Sequence, residues 1–513
     1  MAIYQVDSED ANFLFLESTE SPTHISLLYL YDQSAMGARK VRFTEIRQHL
    51  GQRINSAPVF RQKVRFVPGN IDFPYWEDDA SFDLDFHVRH IALPKPGDWR
   101  QFCIQVSRLH SRPLDLSRPL WELYVIEGLD QVEGCPAGSF ALYFKVHHGA
   151  MDEFTALELM QSLHVHTPDA QDHDRARQHV AHLPSAAPGA VEMVVRGIVN
   201  NTLRGGRLAL QMASRYRTLG KIAAGLGFRL MRRAVDGEPV SGSATTRFAK
   251  PLGRARIFEG GFYARSLIER FAAEVGGATP SHVVLAICGE AMRAYLEQHG
   301  ELGDESLQAL LTVNVRNAGA HALIGNRIAV NQIALHTATA YPIDRLQAIY
   351  SSHNHLHSIE DGELTSIRLR SIYENLPAPV MAWLGRSAQR KNSVGQRLLS
   401  AGNCGVTEMT GSSRPLYLLG ARLIGFTGIP PVYSGCGLMF TASTYGDKLG
   451  LTFTSDRDML PDPHRMRQCL DDAVLGIERY LANGPQPPRK SRPEPAKKPR
   501  AGSRRSGSPA GVT

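Results

Sequence analysis

The 513-residue sequence has only six cysteines (Cys103, Cys135, Cys288, Cys404, Cys436 and Cys469), widely spaced and without a CxxC pair. This excludes a disulfide framework and a zinc-finger spacing, and reads as free thiols in a reducing compartment. No apolar run reaches the ~18 residues needed to span a bilayer. The opening MAIYQVDSEDANF lacks the basic and apolar regions of a signal peptide. A cytoplasmic protein is expected, touching membranes from one side at most. Net charge is also missing where a nucleic-acid-binding body needs it. The formal charge of +7 matches the surplus of residues 485–513, where eight Lys or Arg face Glu494 alone, so the rest of the chain is neutral. A nucleic-acid partner is therefore not expected. No Gly-rich phosphate loop is present either.

What the chain has is length and apolar content: 43% apolar and 21% charged residues over 513 positions predict two soluble domains. THISLLYLYD (23–32) reads as a buried strand and FTEIRQHLGQRI (43–54) as an amphipathic helix. FDLDFHVRHIALP (82–94) alternates like a strand, and a helix follows from Trp99 to His110. WELYVIEGL (121–129) and SFALYFKVHH (139–148) read as paired strands, followed by a helix over 154–165. Beyond residue 257 come a helix from Ser281 to His299 and strands near 309–317, 327–337, 419–429, 437–446 and 449–456. A closing helix runs from Pro463 to Leu481. The expected division is 1–165, a linker and basic helical segment over 166–256, a second domain over 257–482, and a disordered basic tail over 483–513.

Residues 190–235 have helical apolar spacing and nine Lys or Arg against Glu192 alone. Such a helix either lies on an anionic membrane or joins two domains with its basic face in water. HNHLH places His353, His355 and His357 at alternate positions, which would share one face of a strand and suggest a metal. The helical spacing of the preceding PIDRLQAIYSS favours a solvated helix face instead.

The stretch YFKVHHGAMDEFTALELM (143–160) carries the chemistry. Adjacent strand residues point to opposite faces, so His147 and His148 are poorly placed to hold one metal ion. His148 follows Phe140, Leu142, Phe144 and Val146, whereas His147 follows Tyr143 and Lys145. An imidazole at the edge of an apolar site keeps the neutral form that a general base requires. Asp152, at the turn into the next helix, fits a cap or a loop clamp. On the residues alone, a purely structural reading of this cluster stays open.

With its surroundings, the stretch resembles the HHxxxDG motif of CoA-dependent acyltransferases, and more narrowly the bacterial wax ester synthase/diacylglycerol acyltransferase family. VDSEDANFLFLESTESPTHISLLYLYD (6–32) is similar to that family's opening, and PVFRQKV (58–64) and FDLDFHVRHIALPKPGD (82–98) follow in order. LHSRPLDLSRPLWELYVIEGL contains the PLW signature at Pro119, Leu120 and Trp121. ATPSHVVLAICGEAMRAYLEQHGEL, VNVRN, GNRIAVNQIALHT and RPLYLLGARL complete the series. The resemblance covers roughly residues 4–482 outside the variable middle.

The resemblance implies an α/β fold of two similar domains, each a mixed sheet flanked by helices, with the histidine in a tunnel between them. It implies transfer of a fatty acyl group from acyl-CoA to a long-chain alcohol or a diacylglycerol, at an inner-membrane or lipid-droplet surface. Acyl-CoA is then a substrate, and neither cofactor nor metal is implied. His148 becomes the general base, Asp152 a structural residue and His147 its support. Pro119, Leu120, Trp121, Gly149, Glu153, Ser281, His282, Asn314, Arg316 and Asn326 become candidate substrate-binding positions, and Arg316 also a charge partner for Asp152.

Three positions depart from the family pattern. The final Gly of HHxxxDG is Glu153, an Asn-Asp pair reads Ser281-His282, and TEMTGSSR (407–414) keeps Gly411 but lacks prolines. Glu153 reads either as an acid in a first helical turn or as a changed pocket that alters the histidine's pKa. Ser281 reads as a replacement donor or as a helix cap. Together the departures open a second reading: a weakened homologue that binds acyl-CoA or lipid without turnover.

Overall fold

A computed structural model of the chain describes residues 3–53, 57–168, 186–214, 246–314, 328–358, 375–388 and 402–484. Its strands are β1 (Tyr4–Gln5), β2 (His24–Asp32), β3 (Gln62–Arg65), β4 (Tyr75–Asp78), β5 (Val88–Ala92), β6 (Trp121–Glu127), β7 (Phe140–His147) and β8 (Arg256–Ala264). The second half adds β9 (Gln308–Asn314), β10 (Ile328–Ala334), β11 (Cys404–Thr410), β12 (Tyr417–Leu418), β13 (Ala421–Ile429), β14 (Leu438–Tyr445) and β15 (Lys448–Asp456). The helices are α1 (Ser8–Leu16), α2 (Phe43–Arg53), α3 (Leu84–His87), α4 (Trp99–Ser111), α5 (Glu153–Gln161) and α6 (Ala190–Ser214). They continue with α7 (Arg265–Ala273), α8 (Pro280–Gln298), α9 (Pro342–Ser358), α10 (Ala378–Ala388) and α11 (Pro463–Asn483).

Two six-stranded sheets organise these elements, in the orders β12-β13-β2-β7-β6-β5 and β10-β9-β11-β14-β15-β8. Both are mixed: β5 runs parallel to β6 in the first, and β11 runs parallel to β9 and β14 in the second. The chain order does not separate them. β13, from the second half, pairs antiparallel with β2, so the first sheet is completed by residues more than 380 positions away. This exchange ties the halves together through backbone hydrogen bonds, and no alternation in the sequence announces it.

Every residue of β7 is buried. Phe140, Leu142, Phe144 and Val146 pack with α1 and α5, while Ala141 and Tyr143 pack with Phe102, Val106 and Leu109 of α4. A strand covered on both faces reads as a near-continuous apolar run, as this one does. Its basic exceptions are the terminal His147 and Lys145, whose ammonium donates to the carbonyls of Leu109 (3.2 Å) and Arg112 (2.7 Å). It thereby satisfies the open end of α4. Helix α4 starts on a capping box of Asp98 and Gln101.

One expectation changes, and of the basic segment 190–235, whose two readings stood open, only residues 190–214 are described. The segment 82–94 is not one strand: Asp83 accepts from the Asp85 amide, α3 makes a single turn, and the strand begins only at Val88. Helix α6 turns its polar side inward. Asn200 and Arg204 bond the Asp72 carboxylate at 2.7 and 2.6 Å, and the Arg204 guanidinium lies 4.1 Å from the Phe73 ring centre. Val191, Val195, Ile198, Val199, Leu203 and Leu210 face outward instead.

Candidate active site

The histidine pair sits where three segments converge. The amide of His147 donates to Leu120 O at 2.9 Å, and that of His148 to Thr23 O at 2.9 Å, so the neighbouring segments hold the end of β7 from both sides. The chain then turns, closed by the Ala150 amide on His147 O. It enters α5 at Glu153, where Asp152 is the N-cap: its Oδ1 accepts from the Thr155 amide (2.8 Å) and hydroxyl (2.7 Å). Asp152 is fully buried and fixes the helix to the turn.

His147 is locked on both ring nitrogens. The Gly149 amide donates to Nδ1 at 2.9 Å, which leaves the ring proton of the neutral form on Nε2. That nitrogen faces Thr23 Oγ1 (3.2 Å) and Glu17 Oε2 (3.4 Å). Glu17 Oε2 also accepts from the Thr23 amide (2.5 Å) and hydroxyl (2.7 Å). Burial works to raise the Glu17 carboxyl, but His147 and Thr23 outweigh it and hold it below its ordinary value.

His148 has a different environment. Its ring stacks on Phe13, and its Nε2 lies 3.4 Å from Glu153 Oε2. Both side chains are buried, at 4% and 7% exposure. Burial pushes the Glu153 carboxyl above its ordinary value, with His148 pulling the other way. Tyr433 lies on the loop between β13 and β14. Its phenol is pushed up by burial and then by the charges of Glu153 and Glu17. Glu153 is thus the first residue of its helix, as one reading had it, and also a wall of the histidine's site, as the other had it.

Gly149 is held tightly. A Cβ there would stand 2.9 Å from Asp10 O and from Leu14 Cγ, so α1 presses directly on the turn. The PLW residues underlie the site. Leu120 and Trp121 are buried, the Trp121 indole donates to Phe60 O at 3.1 Å and stacks on His87, and the Leu120 carbonyl anchors His147. Ser281 and His282 open α8 in a separate cluster. Thr279, not Ser281, caps that helix with His282 as its capping-box partner. Ser281 donates to Glu408 at 2.5 Å, and His282 Nε2 meets His353 Nδ1 at 2.8 Å. His353 therefore touches another side chain rather than standing only in water, and α9 is helical through HNHLH. Asn314 ends β9 opposite Ile328. Arg316 and Asn326 lie outside the described residues. Among the described residues, no group of three or more His, Cys, Asp or Glu side chains is placed to hold a metal ion.

Phe13, Glu17, Thr23 and Tyr433 were not singled out from the sequence. The first three lie in the family-like opening segment, yet Thr23 meets His147 across 124 positions, and nothing local signals it.

Comparison with known proteins agrees with this architecture. The model of the wax ester synthase/diacylglycerol acyltransferase catalytic domain matches residues 6–274, and that of the WS/DGAT C-terminal domain matches 324–478. A Mycobacterium tuberculosis protein, whose name assigns it provisionally to the diacylglycerol O-acyltransferases, is 29% identical over 92% of this chain and 99% of its own. The O-acyltransferase WSD of Acinetobacter baylyi is 27% identical over 92% of this chain and 96% of its own. The solved wax ester synthase/diacylglycerol acyltransferase of Marinobacter aquaeolei superposes with a TM-score of 0.65 at 23% identity, covering 93% of this chain and 100% of that one. With the catalytic-domain model spanning more than half of its length, the chain belongs to the wax ester synthase/diacylglycerol acyltransferase family.

Proposed function

We propose that this O-acyltransferase uses His148 as the general base for transfer of a fatty acyl group from acyl-CoA to the hydroxyl of a long-chain alcohol or a diacylglycerol. One observation carries the assignment. Of the two adjacent imidazoles, His147 is held on both nitrogens by Gly149, Thr23 and Glu17, whereas His148 turns Nε2 toward the buried Glu153 carboxyl. In the step, the acceptor hydroxyl gives its proton to His148 Nε2 as its oxygen bonds to the thioester carbonyl carbon. The carbon–sulfur bond breaks, and the proton passes to the departing CoA sulfur. A thioester is already activated, so positioning and proton removal suffice without a covalent enzyme intermediate. His147 and Asp152 position the base.

Purified chain given palmitoyl-CoA with hexadecanol or diacylglycerol should release thiol, and His148→Ala should lose at least about a hundredfold in rate without a change in melting. Full turnover in His148→Ala would remove the base assignment. The carboxylate against Nε2 supports a second reading, a lipid- or acyl-CoA-binding protein of low turnover. Palmitoyl-CoA binding without thiol release selects it.

The acceptor reaches the site from a lipid surface, and α6 is the docking element. Its outward face carries Val191, Val195, Ile198, Val199, Leu203 and Leu210, from 52% to 80% exposed, with exposed Trp383 of α10 as a further apolar contact. No helix among the described residues is long and apolar enough to cross a membrane. An exposed apolar stripe with Arg196 and Arg207 beside it suits the surface of an anionic bilayer or droplet. Ile198→Asp with Leu203→Asp should weaken sedimentation with anionic vesicles while leaving melting unchanged, and undiminished sedimentation would assign docking elsewhere.

A further inference from the structure

Glu153 replaces the smallest residue of the motif with an acid at the reacting nitrogen. It is not a surface residue of the first helical turn: its side chain is 7% exposed and Oε2 lies 3.4 Å from His148 Nε2. Among the described residues, no donor reaches Oε2. A buried acceptor left in this way costs about 1–3 kcal/mol, and glycine at this position would avoid that cost. Such violations of the ordinary satisfaction of buried polar atoms concentrate at sites whose ligand supplies the missing partner. Asp152, the neighbouring acid, shows the contrast, since Thr155 donates to it twice.

We propose that Glu153 determines acceptor specificity: with His148 it forms a pair of acceptor atoms that takes a lipid bearing a vicinal diol, one hydroxyl on Nε2 and its neighbour on Oε2. The inference rests on the acyltransferase reading above. Two hydroxyls on adjacent carbons stand slightly closer together than the 3.4 Å between the two acceptor atoms, so both can be engaged at once. The hydroxyl on Nε2 loses its proton to His148 and takes the acyl group, CoA leaving as the thiol. The hydroxyl on Oε2 keeps its proton and remains free in the product, a monoester. A simple alkanol fills one acceptor and leaves Oε2 buried without a donor. Sites built to hydrogen-bond a substrate hydroxyl discriminate strongly against the analogue that lacks it.

The test compares hexadecanol with the vicinal diol of the same chain length as acceptors for palmitoyl-CoA, read as kcat/KM from thiol release. The wild-type chain should prefer the diol by roughly tenfold or more, the equivalent of one unmade hydrogen bond. The preference should fall to near unity in Glu153→Gly and in Glu153→Leu, the second of which fills the space without supplying an acceptor. Equal use of the two acceptors by the wild-type chain, or a wild-type ratio kept by either folded variant, overturns the specificity inference and leaves the acyltransferase reading standing. No thiol release from the wild-type chain with either acceptor overturns both.

Discussion

The imidazole of His148 lies flat against the phenyl ring of Phe13, the ring centres 3.9 Å apart and the planes 3° from parallel. A residue of the first helix thus sets the plane of the proposed base, which lies beyond the end of the fourth strand of the first sheet. The His148 amide donates to Thr23 O, and the stack bears on rotation of the ring. Phe13, Glu17 and Thr23 all come from one short opening segment, which makes that segment part of the proposed active site.

Removing the stack should slow the reaction more than it weakens binding. An aromatic pair of this kind is worth about 0.5–1.5 kcal/mol, so Phe13→Ala should lower kcat several-fold to roughly tenfold. KM for palmitoyl-CoA should change less. Phe13→Leu, which refills the space without the flat contact, should recover stability but not the full rate. An unchanged kcat in Phe13→Ala would show that the ring is oriented by other contacts.

Gly149→Ala tests how closely α1 supports the turn. The added methyl would stand 2.9 Å from the carbonyl oxygen of Asp10 and from Leu14 Cγ, closer than real Cβ contacts come. Overpacking of this kind costs about 1–3 kcal/mol. Relief by moving α1 would also displace Phe13, so a lower melting temperature should come with a lower kcat. A drop in stability alone would mean that the helix yields without moving the stack.

Lys145 makes a prediction about the scaffold rather than the chemistry. Burial pulls its ammonium down to about 8, with Glu122 at 3.6 Å opposing the shift. Lys145→Met preserves the apolar stem but removes the donors to Leu109 O and Arg112 O, and it leaves Glu122 with the half-exposed Arg89 at 3.5 Å and the Tyr124 hydroxyl as its remaining partners. Breaking such an arrangement costs roughly 3 kcal/mol. Urea unfolding should show that loss, and a change below about 1 kcal/mol would mean that water replaces the ammonium.

Much of this was legible in the sequence because it is local. The apolar run of β7, the alternation that separates His147 from His148, and the Asp152 cap all follow from spacing within a few residues. The pairing of β13 with β2 was not legible, because edge and central strands of a mixed sheet carry the same composition. Nor was the inward turn of α6. The basic count of the 190–235 segment left a membrane face and a solvated basic face both open, and most of those basic residues lie outside the described residues; within α6, Asp72 draws Asn200 and Arg204 inward and leaves the aliphatic side chains outside. For Glu153, sequence position gave the helix turn correctly. Only the direction of the side chain placed the carboxylate on His148.

Two buried glutamates beside the two histidines should respond to pH in opposite directions. Glu17 is held below its ordinary value of 4.5, against the pull of burial, by His147 and the two Thr23 donors. A carboxyl lowered on folding adds stability above that value and loses it as pH falls through the folded value. Glu17→Gln should therefore destabilise the chain near neutrality, by about 2 kcal/mol for a charged acceptor of several bonds, with the difference fading in acid. Glu153 is raised by burial, with Asp152 adding to the shift and His148 opposing it. Its stabilising contribution is present below 4.5 and is lost as pH rises through its folded value. Glu153→Gln should therefore stabilise the chain near neutrality, and this gain should also vanish in acid. Urea midpoints of both variants, taken near neutrality and below the ordinary carboxyl value, decide the matter. Shifts of the same sign would mean that the glutamates share one environment, and the separate roles assigned to His147 and His148 would lose their electrostatic basis.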